Sequence, residues 1–166
     1  PEFAGMMLAD YLRYRKQLTG TKIVCAEGDC GACSVLRYFP GLGKKSEGSS
    51  HGFLPINSCI TTCAQLDGSS LVTVEGLGSP DQLHPVQNAM KDCHGSQCGF
   101  CTPGFVMALA GLVEKRIEAK ETKVGINERE AKNATTGNLC RCTGYKPILD
   151  AAQSIDLSQC ESVRKK

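Results

Sequence analysis

The chain has 166 residues, which suffices for one ordinary domain or two small ones, and its 11 cysteines far exceed normal usage. A net charge of +2, from 19 basic and 17 acidic residues spread along the chain, indicates neither a nucleic-acid-binding surface nor a polybasic membrane patch. The longest mainly apolar run, residues 105–113, is too short to span a bilayer. A secreted disulfide framework favours an even number of cysteines in a shorter chain, so the cysteine usage indicates metal-bound thiolates in a reducing, cytoplasmic compartment.

The first half of the chain predicts a domain of mixed α and β character over residues 1–76. Its opening, P-E-F-A-G, gives no element signal and is consistent with an expression-vector scar. Residues 6–16 predict a short amphipathic helix, because apolar side chains recur at helical spacing at Met7, Leu8, Tyr11 and Leu12. Strands are predicted at S-V-L-R-Y-F, F-L-P-I-N and S-L-V-T-V. Between the first two, residues 40–52 form a Gly/Ser-rich surface loop.

After a linker at residues 77–82 the periodicity becomes helical. Pro85 is placed to begin a helix that reaches about Cys93, and Thr102 is the expected N-cap of a helix through Glu118. Two further helices are predicted around residues 127–134 and from Pro147 to about residue 155. These elements predict an all-α domain of four helices over residues 83–166, and the whole chain is expected to be of the α+β class.

The first cysteine set has the spacing C-x4-C-x2-C followed, after 25 intervening residues, by one more cysteine: Cys25, Cys30, Cys33 and Cys59. This is the ligand spacing of plant-type [2Fe–2S] ferredoxins. Gly28 and Gly31 allow the backbone to curl closely around a cluster. A structural zinc site more usually pairs two C-x2-C units, so iron–sulfur is favoured over zinc for this loop.

The second cysteine set joins a C-x2-C pair to a C-x-C pair about forty residues later: Cys98, Cys101, Cys140 and Cys142. Only Arg141 separates the last two thiols, and neither a helix nor a strand holds residues two apart in a geometry suited to a disulfide. A tight loop closed at Gly144 would bring both thiolates to one metal. This pattern is less specific than the first, and zinc remains an alternative to a second [2Fe–2S] centre.

Four strings of the sequence, C-A-E-G-D-C-G-A-C, H-P-V-Q, G-S-Q-C-G-F-C-T-P-G and G-N-L-C-R-C-T-G-Y-K-P-I-L, carry a family resemblance. Together they resemble the iron–sulfur region of the molybdenum hydroxylases, the xanthine dehydrogenase and aldehyde oxidase family. The resemblance implies a ferredoxin-like β-grasp domain and a four-helix domain, each holding one [2Fe–2S] cluster. It also implies an oxidoreductase in which this chain relays electrons from molybdopterin towards FAD, both on partner subunits or domains.

The resemblance extends to individual positions. The helical-domain cluster is expected beside molybdopterin, with Gln97 and Cys142 approaching the pterin, while the ferredoxin-like cluster passes electrons to the flavin. The chain itself is expected to hold no substrate site, and a purine such as xanthine is the expected substrate because the gap between Cys33 and Cys59 resembles that of xanthine dehydrogenases. Val24 and Ala26 stand where the family often has glycine. The family's N-terminal β-hairpin is absent from the sequence as given, so an incomplete β-grasp, and a fragment of a longer polypeptide, are expected.

Simpler interpretations apply to the remaining residues. Cys63, Cys93 and Cys160 lie outside both spacings and are expected to be ordinary thiols. His84 is expected to cap or pack near a helix start. Two other functions remain open: a free-standing iron–sulfur redox sensor, and a zinc-stapled interaction module.

Overall fold

The structure is a computed structural model that describes residues 3–38 and 52–163. The surface loop predicted at residues 40–52 therefore falls, except for Gly52, outside the described residues. The elements are numbered here in chain order: α1 (Leu8–Asp10), continued by a π-helical segment (Tyr11–Arg15), β1 (Ser34–Tyr38), β2 (Phe53–Asn57), β3 (Ser70–Val72), α2 (Pro85–Asp92), α3 (Thr102–Glu118), α4 (Glu128–Thr135) and α5 (Lys146–Ser154). The chain thus combines helices with a small sheet, as its sequence predicts.

The sheet has the strand order β2-β1-β3, and both pairs are antiparallel. Leu36 in the central strand is paired with Pro55 on one side and with Val72 on the other. Proline lacks the N–H that a central strand needs, and Pro55 is tolerated because β2 is an edge strand within the described part of the chain. The three predicted strands are confirmed.

Local signals fix most helix starts. His84 is the N-cap of α2, and its Nδ1 accepts a hydrogen bond of 3.2 Å from Val86 N, which confirms its predicted capping position. Asn127 forms a capping box with Glu130 at the start of α4. The prediction that Thr102 caps α3 is wrong: Cys101 occupies the N-cap, and the Thr102 hydroxyl donates to Ser96 Oγ at 2.8 Å. The helix begins at Thr102, one residue earlier than predicted, so Cys101 takes the cap position.

Helix α3 is the centre of the molecule. Phe105 and Leu109 are fully buried, and this helix packs on both the sheet and the neighbouring helices. A Cβ on Gly111 would approach Pro55 Cδ to 3.0 Å, so the missing side chain lets α3 lie close against the sheet. Burying a side chain such as Phe105 or Leu109 contributes about 1.5 to 3 kcal/mol to the free energy of unfolding. The apolar cluster around α3 therefore contains residues of both the sheet and the helices.

The charged run of residues 114–123, whose composition predicts a solvated surface, is exposed over most of its length, but two of its charged residues are buried. Glu114 is 2% exposed, and its carboxylate accepts hydrogen bonds from Ser162 Oγ and Val163 N. Arg116 is 8% exposed and pairs with Glu130 at 2.6 Å. These buried charges are retained because each has a partner, and they fix the chain that follows α3. Within the described ranges, no helix combines the length and the apolar composition that a membrane crossing requires.

Candidate metal centres

The first thiol set is assembled by the loop before β1 and by the pairing of β1 with β2. Strand pairing opposes Ser34 and Asn57, so Cys33 before β1 and Cys59 after β2 come together at the same end of the sheet. Ser58 strengthens this closure, because its Oγ donates to Cys33 O at 2.6 Å. The other two thiols come from the preceding loop, where Cys30 N lies 3.4 Å from Cys25 Sγ and donates to it.

The loop carrying Cys25 and Cys30 is shaped by left-handed backbone positions. Gly28 and Gly31 have φ of 84° and 67°, as their role in a tight loop predicts, and Ala26 has φ of 57°. Ala26, which stands where the family often has glycine, adopts the left-handed conformation despite its Cβ. Val24, at the other departure from the family pattern, is exposed.

The two pairs of the first set lie in different electrostatic surroundings. Hydrogen bonds from the backbone N–H groups of Glu27 and Cys30 lower the pKa of the Cys25 thiol to about 6. Burial, together with the neighbouring Cys33 thiol, raises the pKa of Cys59 to about 12. The Cys25 thiol therefore favours the thiolate form that a metal requires, while the Cys59 thiol needs the charge of a metal to ionise.

The second thiol set lies in the loop between α2 and α3 and in the loop between α4 and α5. Cys98 follows α2, Cys101 caps α3, and Cys140 and Cys142 lie in the loop between α4 and α5. Cys98 Sγ and Cys142 Sγ are 3.6 Å apart, and the Cys101 and Cys140 thiols also interact. Two thiolates on one tetrahedral metal, with bonds of about 2.3 Å, lie roughly 3.8 Å apart, so the first of these distances suits a shared metal.

Hydrogen bonds from the chain shape the loop around Cys140. Thr143 N donates to Cys140 Sγ at 3.5 Å, and Thr143 Oγ1 lies 3.1 Å from the same sulfur. Tyr145 N donates to Thr143 Oγ1, which leaves the hydroxyl proton free to point at the sulfur. Burial pushes the pKa of Cys140 upward, but these Thr143 hydrogen bonds lower it overall.

Tyr145 closes this loop. Gly144 has φ of 65°, as a tight loop there predicts, and Tyr145 itself has φ of 68°. The Tyr145 hydroxyl accepts a hydrogen bond of 3.1 Å from Cys140 N, while its ring meets Phe105 edge-on at 6.1 Å. Tyr145 thus packs against the apolar core through its ring and contacts the Cys140 loop through its hydroxyl.

In both sets the thiols make contact two at a time: Cys25 with Cys30, Cys33 with Cys59, Cys98 with Cys142, and Cys101 with Cys140. Among the His, Cys, Asp and Glu side chains that the structure describes, no three or more converge as the ligands of a single ion would. A [2Fe–2S] cluster places two cysteines on each iron, so a set of four thiols arranged as two pairs fits it.

The three cysteines outside both sets, Cys63, Cys93 and Cys160, contact no thiol of either set in the described residues. Cys93 Sγ is 3.6 Å from Ser154 Oγ, Cys160 Sγ donates to Asp156 O, and burial raises the pKa of the Cys63 thiol. All eleven cysteines are free thiols. Gln97 is exposed, beside the exposed Cys98.

Two hydrogen bonds between the loop of residues 25–33 and the loop of residues 136–145 are not indicated by the sequence. Leu139 N donates to Cys30 O at 3.0 Å, and Asn138 Nδ2 donates to Gly31 O at 3.0 Å. Both join the loop of the second set to the loop of the first. They depend on the tertiary packing of segments 107 residues apart, so no local pattern could indicate them.

Comparison with known proteins places this arrangement among iron–sulfur proteins. Residues 73–153 match the family model of the [2Fe-2S] binding domain. The chain is 45% identical over 151 residues to aldehyde oxidase 1 of Bos taurus and 43% identical over 162 residues to xanthine dehydrogenase 1 of Arabidopsis thaliana. These matches cover 89% and 95% of the chain but only 10% and 11% of the relatives, so the chain spans about one tenth of their length.

Two solved structures of oxidoreductases also align with most of this chain. The structure of quinoline 2-oxidoreductase from Pseudomonas putida 86 aligns with a TM-score of 0.74 and 35% identity, covering 98% of this chain and 86% of that chain. Aldehyde oxidoreductase from Desulfovibrio gigas aligns with a TM-score of 0.72 and 35% identity, over 93% of this chain and 15% of that chain.

Proposed function

This chain belongs to the iron–sulfur region of the molybdenum hydroxylase family, and we propose that it holds two [2Fe–2S] clusters on eight of its cysteines. The first cluster is assigned to Cys25, Cys30, Cys33 and Cys59, and the second to Cys98, Cys101, Cys140 and Cys142. A bound [2Fe–2S] cluster accepts and releases single electrons. The pairwise contacts of the thiols and the thiolate-stabilising loop of Cys25 support this assignment.

The hydrogen bond from Leu139 N to Cys30 O is the main observation in support of an electron relay. Cys30 is a proposed ligand of the first cluster, and Leu139 is covalently joined to Cys140, a proposed ligand of the second. The two ligand sets are therefore linked through a few covalent bonds and one hydrogen bond of 3.0 Å. A chain with two such sets in direct backbone contact is suited to passing electrons between them.

The exposed side of each set indicates where electrons enter and leave. Gln97 and Cys142 are both exposed, and we assign this face to a molybdopterin-binding subunit or domain. Exposed Val24 and Ile60 flank the first set, and this face is assigned to an FAD-binding subunit or domain. The proposed order is molybdopterin, second set, first set and then FAD.

The finer assignments follow from the same family relation. Residues 1–76 are proposed to form a ferredoxin-like β-grasp domain, residues 77–82 a linker and residues 83–166 a four-helix domain. The whole enzyme is proposed to oxidise a purine such as xanthine in the cytoplasm, with no substrate bound by this chain.

Metal analysis and spectroscopy of the purified full chain test the cluster assignment. The chain is expected to hold about four iron atoms, and EPR of the reduced protein should show two distinct [2Fe–2S] signals. Cys25→Ser should remove only the first signal and Cys142→Ser only the second. Cys63→Ser is the matched control, because Cys63 lies outside both sets, and it should retain both signals.

Stoichiometric zinc without iron would refute the proposal in favour of a zinc-stapled module. Co-purification tests the partners: on a sizing column the native complex should retain molybdopterin and flavin. An iron–sulfur chain that migrates alone from its native source would instead support a free-standing sensor.

A further inference from the structure

We propose that Asn138 is a positioning residue that fixes the placement of the two ligand loops relative to each other. This inference rests on the proposed function, because it concerns the separation of the two clusters. Asn138 lies two residues before Cys140, and it is 5% exposed. Its side-chain amide leaves its own loop entirely and donates to Gly31 O, between Cys30 and Cys33.

The Gly31 carbonyl accepts hydrogen bonds from two side chains. It accepts hydrogen bonds from Asn138 Nδ2 at 3.0 Å and from Ser34 Oγ at 2.7 Å. Ser34 begins β1, so this carbonyl ties the second ligand loop to the sheet as well as to the first ligand loop. Donors from the Asn138 loop and from the start of β1 therefore meet at one backbone oxygen.

Two glycines allow other backbone segments to lie close to Gly31. A Cβ on Gly31 would lie 2.3 Å from Gly137 O, and a Cβ on Gly104 would lie 2.2 Å from Gly31 O. Gly104 is in the first turn of α3, three residues after the ligand Cys101. The Gly31 junction, defined as Gly31, Gly104 and Asn138, thus joins segments that carry ligands of both sets.

A merely local role for Asn138 does not account for these contacts. Asparagine side chains in turns usually bond the backbone of their own turn, whereas this amide bonds a residue 107 positions away. The adjacent bond from Leu139 N to Cys30 O gives one attachment point between the loops, and Asn138 gives a second. Without the Asn138 amide, only one of these two hydrogen bonds would join the loops, and their relative placement would be less constrained.

The test uses the full chain loaded with iron and compares Asn138→Ala and Gly104→Ala with Asn133→Ala. Asn133 is an exposed asparagine of α4, so its variant makes the same chemical change away from the junction. Iron content reports cluster loading. The magnetic interaction between the two clusters in the fully reduced protein, measured by EPR splitting and relaxation enhancement, reports their separation.

The expected result is full iron content with loss of the wild-type magnetic interaction in Asn138→Ala and Gly104→Ala, and no change in Asn133→Ala. Asn138→Ser, which keeps a shorter donor, should give an intermediate value. An unchanged interaction in the loaded variants would overturn the inference. So would failure of all three junction variants to load iron while Asn133→Ala loads, because that indicates a role in folding alone. Zinc or a single cluster in the wild-type chain would overturn the proposed function instead.

Discussion

Replacing Thr143 by valine should lower the reduction potential of the second cluster. The change keeps the shape of the side chain but removes the hydroxyl 3.1 Å from Cys140 Sγ. A hydrogen bond donated to a ligand sulfur stabilises the more negatively charged reduced state, so its loss makes reduction harder. The remaining bond from Thr143 N to the same sulfur is unaffected.

The size of the shift follows from the one hydrogen bond to the sulfur that is lost, because the bond from Tyr145 N to Thr143 Oγ1, which is lost as well, does not contact the sulfur. A typical hydrogen bond contributes about 1 kcal/mol net. Because about 59 mV corresponds to a tenfold change, or about 1.4 kcal/mol, for one electron, the potential should fall by roughly 40 mV. The first cluster should keep its potential, since Thr143 contacts only the second set.

A redox titration of the loaded chain, followed by EPR of both signals, measures this shift. Thr136→Val is the matched control, because the Thr136 hydroxyl donates to Lys132 O on α4 and contacts no ligand. An unchanged or raised potential of the second cluster, or an equal shift of both clusters, would contradict the role given to the Thr143 hydroxyl.

Three further predictions concern the ligand loops. Tyr145→Phe should lower the free energy of unfolding by about 1 kcal/mol in urea, because the Cys140 N–H loses its acceptor. Ala26→Gly should raise that free energy by about 0.5 to 1 kcal/mol, because glycine adopts a φ of 57° without the penalty of a Cβ. In the metal-free chain, iodoacetamide should label Cys25 before Cys101 at pH 7, since their pKa values are about 6 and about 12. Labelling of Cys25 should slow as the pH falls through about 6, where its thiolate is protonated.

Each of these predictions has a control. Tyr14 is 65% exposed, so Tyr14→Phe should leave the urea midpoint unchanged. Ala119 has an ordinary φ of −70°, so Ala119→Gly should destabilise the chain while Ala26→Gly stabilises it. Denaturing the chain should equalise the labelling rates of Cys25 and Cys101, because the backbone N–H groups then no longer face the sulfur. A preference that survives denaturation would contradict the hydrogen-bonding explanation.

Elements set by neighbouring residues were predictable from the sequence. The β-branched and aromatic residues of S-V-L-R-Y-F, which follow a Gly-rich loop, mark β1, and the proline at position 85 marks the start of α2. The spacing of the cysteines likewise indicates two ligand sets, since closely spaced ligands come from a single loop. Which thiol contacts which depends on the fold, and the contact of Cys33 with Cys59 follows from the register of β1 with β2.

Features set by distant residues were not predictable. The composition of residues 114–123 indicates a solvated surface, yet Glu114 is buried by the chain near Val163. Asn138 has no local signal for its bond to Gly31. Periodicity reports which side of an element is apolar, but it does not report which charged group meets a partner from another part of the chain.

Backbone strain separates the ligand loops from the rest of the molecule. Among the described non-glycine residues with positive φ, Gln17, His94 and Lys120 each follow a helix C-cap, where the left-handed conformation is common. Ala26 and Tyr145 do not; each lies in a ligand loop, and each costs roughly 1 to 2 kcal/mol.

Contacts with surrounding residues must stabilise the left-handed conformations of Ala26 and Tyr145, because nothing in the local sequence favours them. Tyr145 is fixed by its bond with Cys140 N and by its contact with Phe105. Ala26 lies next to Cys25, whose sulfur accepts the N–H of Cys30 and would be bound by metal. We expect the loop of the first set to depend more on its metal than the loop of the second set does, because Tyr145 packs against the apolar core, whereas Ala26 is exposed. Removal of metal should accordingly release the Cys25 loop first, with faster hydrogen exchange at residues 26–30 than at residues 140–145.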